Sequence, residues 1–432
     1  MKMTAKRKPE LLCPAKDLEV LKTAVDFGAD AVYIGGEAYG LRAKARNFSP
    51  EDMAEGIRYA HNKGARVHVT ANILAHNSDL EGAAAYFREL EELRPDAVLV
   101  ADPGMFLLAR ENCPDIDIHI STQANNTNYG TFNFWARQGA KRVVCARELS
   151  MEEIRQIREK VPESLEVEAF VHGAMCISYS GRCLLSNYFT GRDANHGECT
   201  HPCRWKYAVA EESRPGEYLP VEENERGTFI FNSRDLCMID HIPELVGAGI
   251  DSLKIEGRMK TALYVATVAR TYRKAIDDYF ESEEKYRTNM PWYLDEIKKC
   301  TYRRFTTGFY FGKPSEESMV YDNNTYVSDA VWLGIAEQVF DGSLSDFDTG
   351  AKEQQSGCIV RITQRNKFCV GDEIEIMKPD GRDVRTRVLS MMNGEGGAVS
   401  SAPHPLETIY VQLSQEAQPG DILRTAAASR EA

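Results

Sequence analysis

The chain has 432 residues, of which 43% are hydrophobic and 27% charged, and a formal charge of −13. This length suits a barrel of about 250 residues with an appendage, and the composition excludes a largely disordered protein. The negative charge excludes indiscriminate attraction to nucleic acid, so any RNA partner must meet a local basic patch.

In chain order, the basic segment MKMTAKRKPE is followed by only Leu11 and Leu12 before Cys13 and Pro14. That run is too short for a signal peptide or membrane span, and a cytoplasmic protein without membrane contact is expected. Short β-rich runs then alternate with helical patterns: Glu10–Ala15, Ala31–Gly36, Arg66–Asn72, Ala97–Pro103, Asp117–Gln123, Arg142–Glu148, Leu165–Gly173 and Ser252–Arg258. Between them lie amphipathic stretches such as SPEDMAEGIRYAHNKGA and SMEEIRQIREKV. Eight strand–helix repeats predict a parallel (β/α)8, TIM-like barrel over residues 1–281. An open doubly wound sheet is the rival, but no Gly-rich phosphate turn follows the first strand.

The alternation breaks at about 174–237, where a cysteine-rich insertion leaves the C-terminal face of the barrel, the face that carries active sites in this fold. TALYVATVARTYRKAIDDYF reads as the closing outer helix. Residues 282–325 read as an irregular connector with one short helix, and 326–432 as a small all-β barrel. A core of its own predicts that this last unit can be removed without unfolding the first.

Eleven cysteines are too many to be structural disulfides in a reducing compartment. Cys13, Cys145, Cys300, Cys358 and Cys369 fall in strands or structured connectors and read as small buried hydrophobes, and Cys113 as a loop cysteine. Cys176, Cys183, Cys199 and Cys237 form a C-x6-C-x15-C-x37-C series in a polar, Gly- and Arg-rich segment, which points to ligation. Zinc usually takes paired C-x2-4-C spacings, which only Cys199 and Cys203 approach, so spacing alone leaves zinc and iron–sulfur both open.

FVHGAMCISYSGRCLLSNYFTGR, GECTHPCRW and NSRDLC, together with ELLCPAKDLEVLKTAVDFGADAVYIGG, GLRAKARNFS, STQANNTN and SLKIEGRMKTALYVATVARTYRKAID, resemble the peptidase U32 family. The resemblance covers nearly all of the predicted barrel and extends to the connector and the terminal β unit. The family name records a protease assignment, whereas better-understood relatives hydroxylate wobble uridine in tRNA, a ribosomal RNA base, or ubiquinone precursors. The single barrel with a terminal β unit is most similar in build to the prephenate-dependent tRNA uridine hydroxylases. That resemblance implies a [4Fe–4S] cluster held by Cys176, Cys183, Cys199 and Cys237, with Cys203 as a rival ligand, prephenate as co-substrate, and the tRNA anticodon region as partner.

At the predicted strand ends stand Arg42, Lys44, Arg46, Asn72, Asp102, Gln123, Asn125, Arg147, His172, Glu256 and Arg258. Paired guanidinium groups suit a dicarboxylate, so Arg42, Arg46, Asn72, Gln123, Arg147 and Arg258 are candidate substrate-binding residues. His172 and Glu256 are the candidate proton-handling pair. A peptidase would need a nucleophile with its base, and neither a Ser nucleophile elbow nor an H-E-x-x-H motif occurs. In the insertion, Arg182, Arg192, Arg204 and Lys206 could meet phosphates, and Tyr179, Tyr188, Phe189 and Trp205 could either stack on bases or pack the insertion against the barrel.

Overall fold

The computed structural model describes residues 7–40, 47–176, 179, 182–205, 208–210, 218–220, 232–312, 319–320, 327–341 and 357–426. Its first half is built from short apolar strands that alternate with helices, most of which begin on a side-chain cap. The strands are β1 (Glu10–Pro14), β2 (Ala31–Gly35), β3 (Arg66–Ala71), β4 (Ala97–Val100), β5 (Asp117–Ile120), β6 (Arg142–Val144) and β7 (Glu166–Ala174). The helices between them are α1 (Leu18–Asp26), α2 (Pro50–Asn62), α3 (Ala83–Leu93), α4 (Pro103–Asn112), α5 (Tyr129–Gln138) and α6 (Met151–Lys160). Asp17, Ser49, Asp102, Asn128 and Ser150 accept from backbone N–H groups in the first turns of α1, α2, α4, α5 and α6, satisfying donors that the helix itself leaves unpaired.

The insertion contributes α7 (Leu185–Thr190) and β8 (Asp235–Cys237), and the chain returns through α8 (Ile242–Gly247) to β9 (Ser252–Ile255). Strand β9 pairs in parallel with both β1 and β7, which closes the eight-stranded barrel. Each predicted strand is found, shortened mainly at its C-terminal end where the chain turns to the helix. Strand β8 is extra. It runs antiparallel to the projecting end of β7, with Cys237 opposite His172.

The barrel interior departs from the usual branched apolar filling. On β9 every second residue is polar and faces inward: Ser252 donates to Glu10 (3.0 Å), Lys254 to Glu168 (2.8 Å), and Arg258, past the strand end, to Thr70 (2.9 Å). Arg142 is buried among Glu10 (2.5 Å), Glu166 (2.6 Å) and Glu168 (2.9 Å). Burial alone would raise the Glu10 carboxyl, but Arg142 beside it holds it down at about 2. His68 is kept neutral by burial, which lowers it to about 4.

Both groups make the barrel acid-sensitive. In the unfolded chain His68 takes up a proton as pH falls below 6.5, and Glu10 does so below 4.5, while the folded forms resist until about 4 and 2. The contribution of these two groups is therefore complete above pH 6.5 and declines from there, with Glu10 contributing on the order of 3 kcal/mol that is lost between pH 4.5 and 2. Denaturant midpoints measured from pH 7 to pH 3 should fall, and Glu10→Gln should flatten the lower part of that decline.

The connector is more regular than predicted. The outer helix α9 (Ala262–Glu281) leads directly into α10 (Glu283–Thr288) and α11 (Met290–Glu296). The C-terminal unit comprises β10 (Trp332–Ile335), β11 (Gln338–Asp341), β12 (Cys358–Thr363), β13 (Glu373–Met377), β14 (Asp383–Asn393), β15 (Thr408–Leu413) and β16 (Ile422–Thr425). These pair antiparallel in the order β10-β16-β13-β14-β15-β12-β11, a half-barrel around its own apolar cluster. Met377 and Ile422, however, pack into the core of the first domain. Arg424, fully buried, reaches Glu296 (2.7 Å), Asp383 (2.9 Å) and Glu375 (3.1 Å), and Arg270 reaches Asp383 (3.0 Å) and Glu296. A shared core and a buried ion network thus join the two units, which weighs against the expectation of a separable terminal unit. Among the described residues, no helix is long and apolar enough to cross a membrane.

Candidate functional site

The C-terminal mouth of the barrel and the insertion together enclose a cavity of about 230 Å³. Its floor and sides come from the strand ends, including Asn72, Gln123, Arg147, Lys254, Glu256 and Arg258. Its outer wall carries Cys176, Cys183, Cys199 and Cys203, each exposed or half-exposed.

Local chemistry explains how three separated stretches bring four thiols to one wall. Cys176 lies where the chain leaves β7, and Cys183 lies just before α7. The hydroxyl of Ser186, buried in α7, accepts from Thr200 N (3.1 Å), and Thr190 Oγ1 lies 3.2 Å from Thr200 Oγ1. These contacts tie the Cys199 segment to the helix after Cys183. Gly191 and Gly197 take positive φ values of 68° and 84° at the two turns between them, conformations that cost glycine little. His201 turns the chain back at φ 55°, and Pro202 opens the 3-10 turn that carries Cys203. Asn195 O accepts from Leu74 N (3.5 Å) and Arg182 Nε donates to Asn125 Oδ1 (3.1 Å), fastening the insertion to the rim.

Cys237 does not line this cavity. It sits in β8, buried, with Tyr272 Oη 3.9 Å from its sulfur, and burial pushes its thiol up to about 12. The fourth thiol of the wall is Cys203, which changes the convergent series to C-x6-C-x15-C-x3-C. Among the remaining cysteines, Cys13, Cys145, Cys300 and Cys358 are buried as expected; Cys113 is buried too, and Cys369 is half-exposed.

His172 is likewise absent from the cavity. The register of β7 against β9 slips by one residue between Phe170 and His172. A bulge reverses the side-chain alternation, so Phe170 faces the cavity while His172 lies among Tyr264, Tyr272 and Phe305. It is 1% exposed, its Nδ1 lies 3.5 Å from Tyr272 Oη, and burial lowers it to about 4. This placement among aromatic side chains does not support the proton-handling role expected of it.

Glu256 does line the cavity, where its carboxylate accepts from Arg147 Nη2 at 2.9 Å. Arg147 lies over the Phe170 ring (4.1 Å), and its Nη1 is 3.6 Å from Cys176 Sγ, but its buried Nε has no hydrogen-bond partner. Asn72 donates to Ser121 Oγ (3.0 Å), leaving its own Oδ1 buried and unpartnered, as is Gln123 Oε1. A buried polar atom without a partner costs about 1–3 kcal/mol, and these three atoms all belong to residues that line the cavity.

Arg258 is buried against Thr70 and Asn47. Asp102 serves as the α4 cap. Arg42, Lys44, Arg46 and Lys206 lie outside the described residues, as does the side chain of Arg204. Tyr179, Tyr188, Phe189 and Trp205 are all exposed rather than packed under the insertion, Tyr188 by 82%. Sequence reasoning missed Lys254, whose ammonium lies over the Tyr33 ring at the cavity floor (4.6 Å). Its signal was the period-two polar pattern of SLKIEGR.

A model of peptidase family U32 matches residues 16–320, and one of the peptidase family U32 C-terminal domain matches residues 340–424. The tRNA hydroxylation protein P1 of Bacillus subtilis (strain 168) is 38% identical over 97% of this chain and 95% of its own length. An uncharacterized protease of Methanocaldococcus jannaschii is 43% identical over 70% of this chain and 73% of its own. A 23S rRNA 5-hydroxycytidine synthase of Escherichia coli (strain K12) is 36% identical over 63% of this chain and 40% of its own.

Proposed function

The chain belongs to peptidase family U32, and from that membership and the four-thiol cavity we propose that it is an RNA-modifying enzyme that hydroxylates the wobble uridine of tRNA. The observation that carries this reading is near full-length similarity to a tRNA hydroxylation protein, joined to a polar cavity whose outer wall is made of cysteines.

We assign to the wall a [4Fe–4S] cluster held by Cys176, Cys183, Cys199 and Cys203. The four thiols line one wall of the cavity on irregular, partly exposed backbone, and a cluster rather than a single zinc ion is what the family resemblance implies for such a set. When bound, the cluster would supply one-electron chemistry.

The chain's own groups would bind and orient the reactants. Arg147, Lys254 and Arg258 provide positive charge for a dicarboxylate such as prephenate, and the amides of Asn72 and Gln123 provide hydrogen bonds to its hydroxyl or to a base edge. Tyr179, Tyr188, Phe189 and Trp205 are placed to stack on unpaired bases of the anticodon region outside the cavity. A peptidase reading is less favoured, because the sequence offers neither a Ser nucleophile elbow nor an H-E-x-x-H motif.

The test is mass analysis of tRNA nucleosides from cells lacking this protein. Loss of wobble 5-hydroxyuridine is expected, and an unchanged level would remove the proposal.

A further inference from the structure

The guanidinium of Arg147 stands between two groups that the sequence did not connect. One terminal nitrogen faces the thiol of Cys176 at 3.6 Å and the carbonyl of Ala174 at 3.4 Å, while the other meets the Glu256 carboxylate at 2.9 Å. The group is held in this position from one side by the Phe170 ring, at 4.1 Å, and its side chain is only 9% exposed. A planar fork fixed in this way has a definite orientation toward each neighbour, which a lysine ammonium would lack.

We propose that Arg147 is a positioning residue that sets the reduction potential of the cluster, with Glu256 opposing it through the shared guanidinium. The proposal rests on the cluster reading above. Reduction adds a negative charge to a cluster and its thiolates. A cation donating to a ligating sulfur stabilises the reduced form and raises the potential, as hydrogen bonds to cluster sulfurs do generally. Glu256 offsets part of that positive charge, because the same guanidinium neutralises its carboxylate.

The arrangement predicts shifts of opposite sign at two residues that touch each other. Arg147→Gln removes the cation and should lower the potential. Glu256→Gln keeps an acceptor for Arg147 but removes the opposing charge, and should raise it. Arg147→Lys keeps the charge without the fork and should fall between the wild type and Arg147→Gln. Each charge change should alter the reduced-to-oxidised ratio about tenfold at fixed potential, about 59 mV for one electron.

The experiment is an anaerobic spectroelectrochemical titration of the full-length holoprotein, each variant first assayed for iron and sulfide. A packing role would not produce shifts of opposite sign. Unchanged potentials, or shifts of the same sign in Arg147→Gln and Glu256→Gln, would overturn the proposal. If Arg147→Gln fails to hold a cluster, Arg147→Lys and Glu256→Gln still decide it. A wild type without iron would instead remove the cluster reading, and this proposal with it.

Discussion

Cys203→Ala should yield anaerobically purified protein that is colourless and free of iron, whereas Cys237→Ala should retain about four iron and four sulfide per chain. The two cysteines differ in where the fold puts them. Cys203 shares a cavity wall with Cys176, Cys183 and Cys199, while Cys237 is enclosed in β8 beside Tyr272. Removing the Cys237 sulfur should cost about 1 kcal/mol of stability, as for an ordinary buried truncation. Iron and sulfide assays with visible absorption decide the matter. Loss of iron from Cys237→Ala together with its retention in Cys203→Ala would restore Cys237 as the ligand.

The second large effect is expected far from the cavity. Glu296 is fully buried, and Arg270, Arg424 and Lys299 surround its carboxylate; burial alone would raise it, but these cations hold it down at about 2. Asp383 and Glu375 complete a set of three cations and three carboxylates. Glu296→Ala leaves buried guanidinium groups without their shared partner and should destabilise the protein by about 3–5 kcal/mol, the cost of breaking a buried ion pair from one side. Because the network spans α9, α11, β13, β14 and β16, urea unfolding followed by probes in each domain should show one shared transition, moved to lower urea in the variant. A variant as stable as the wild type, or wild-type domains that unfold independently, would contradict a jointly held interface.

The barrel was legible in the sequence because each of its eight strands is a short apolar or alternating run bounded by turn residues, and period-two and period-3.6 patterns rarely mimic each other over such regular repeats. The register slip near Phe170 was not legible. FVHGA continues an ordinary alternation, and only the pairing of β7 with β9 shows that His172 turns to the outer helix. The fourth cysteine was obscured for a different reason. Cys203 reaches the cavity wall through the turn at His201 and Pro202, whereas the order of cysteines along the chain favours neither Cys203 nor Cys237 for that place. The ion network between the domains joins residues more than a hundred positions apart, such as Glu296 and Arg424, and no local pattern announces such a pair.

If this cavity, with Cys203 in its wall, carries out hydroxylation of tRNA, the modified nucleoside must depend on that cysteine. The most direct measurement is the wobble 5-hydroxyuridine content of tRNA from cells lacking the protein that re-express the wild type, Cys203→Ala or Cys237→Ala, with equal protein levels checked in each. The wild type and Cys237→Ala should restore the nucleoside, and Cys203→Ala should not. Full restoration by Cys203→Ala, or none by the wild type, would contradict it.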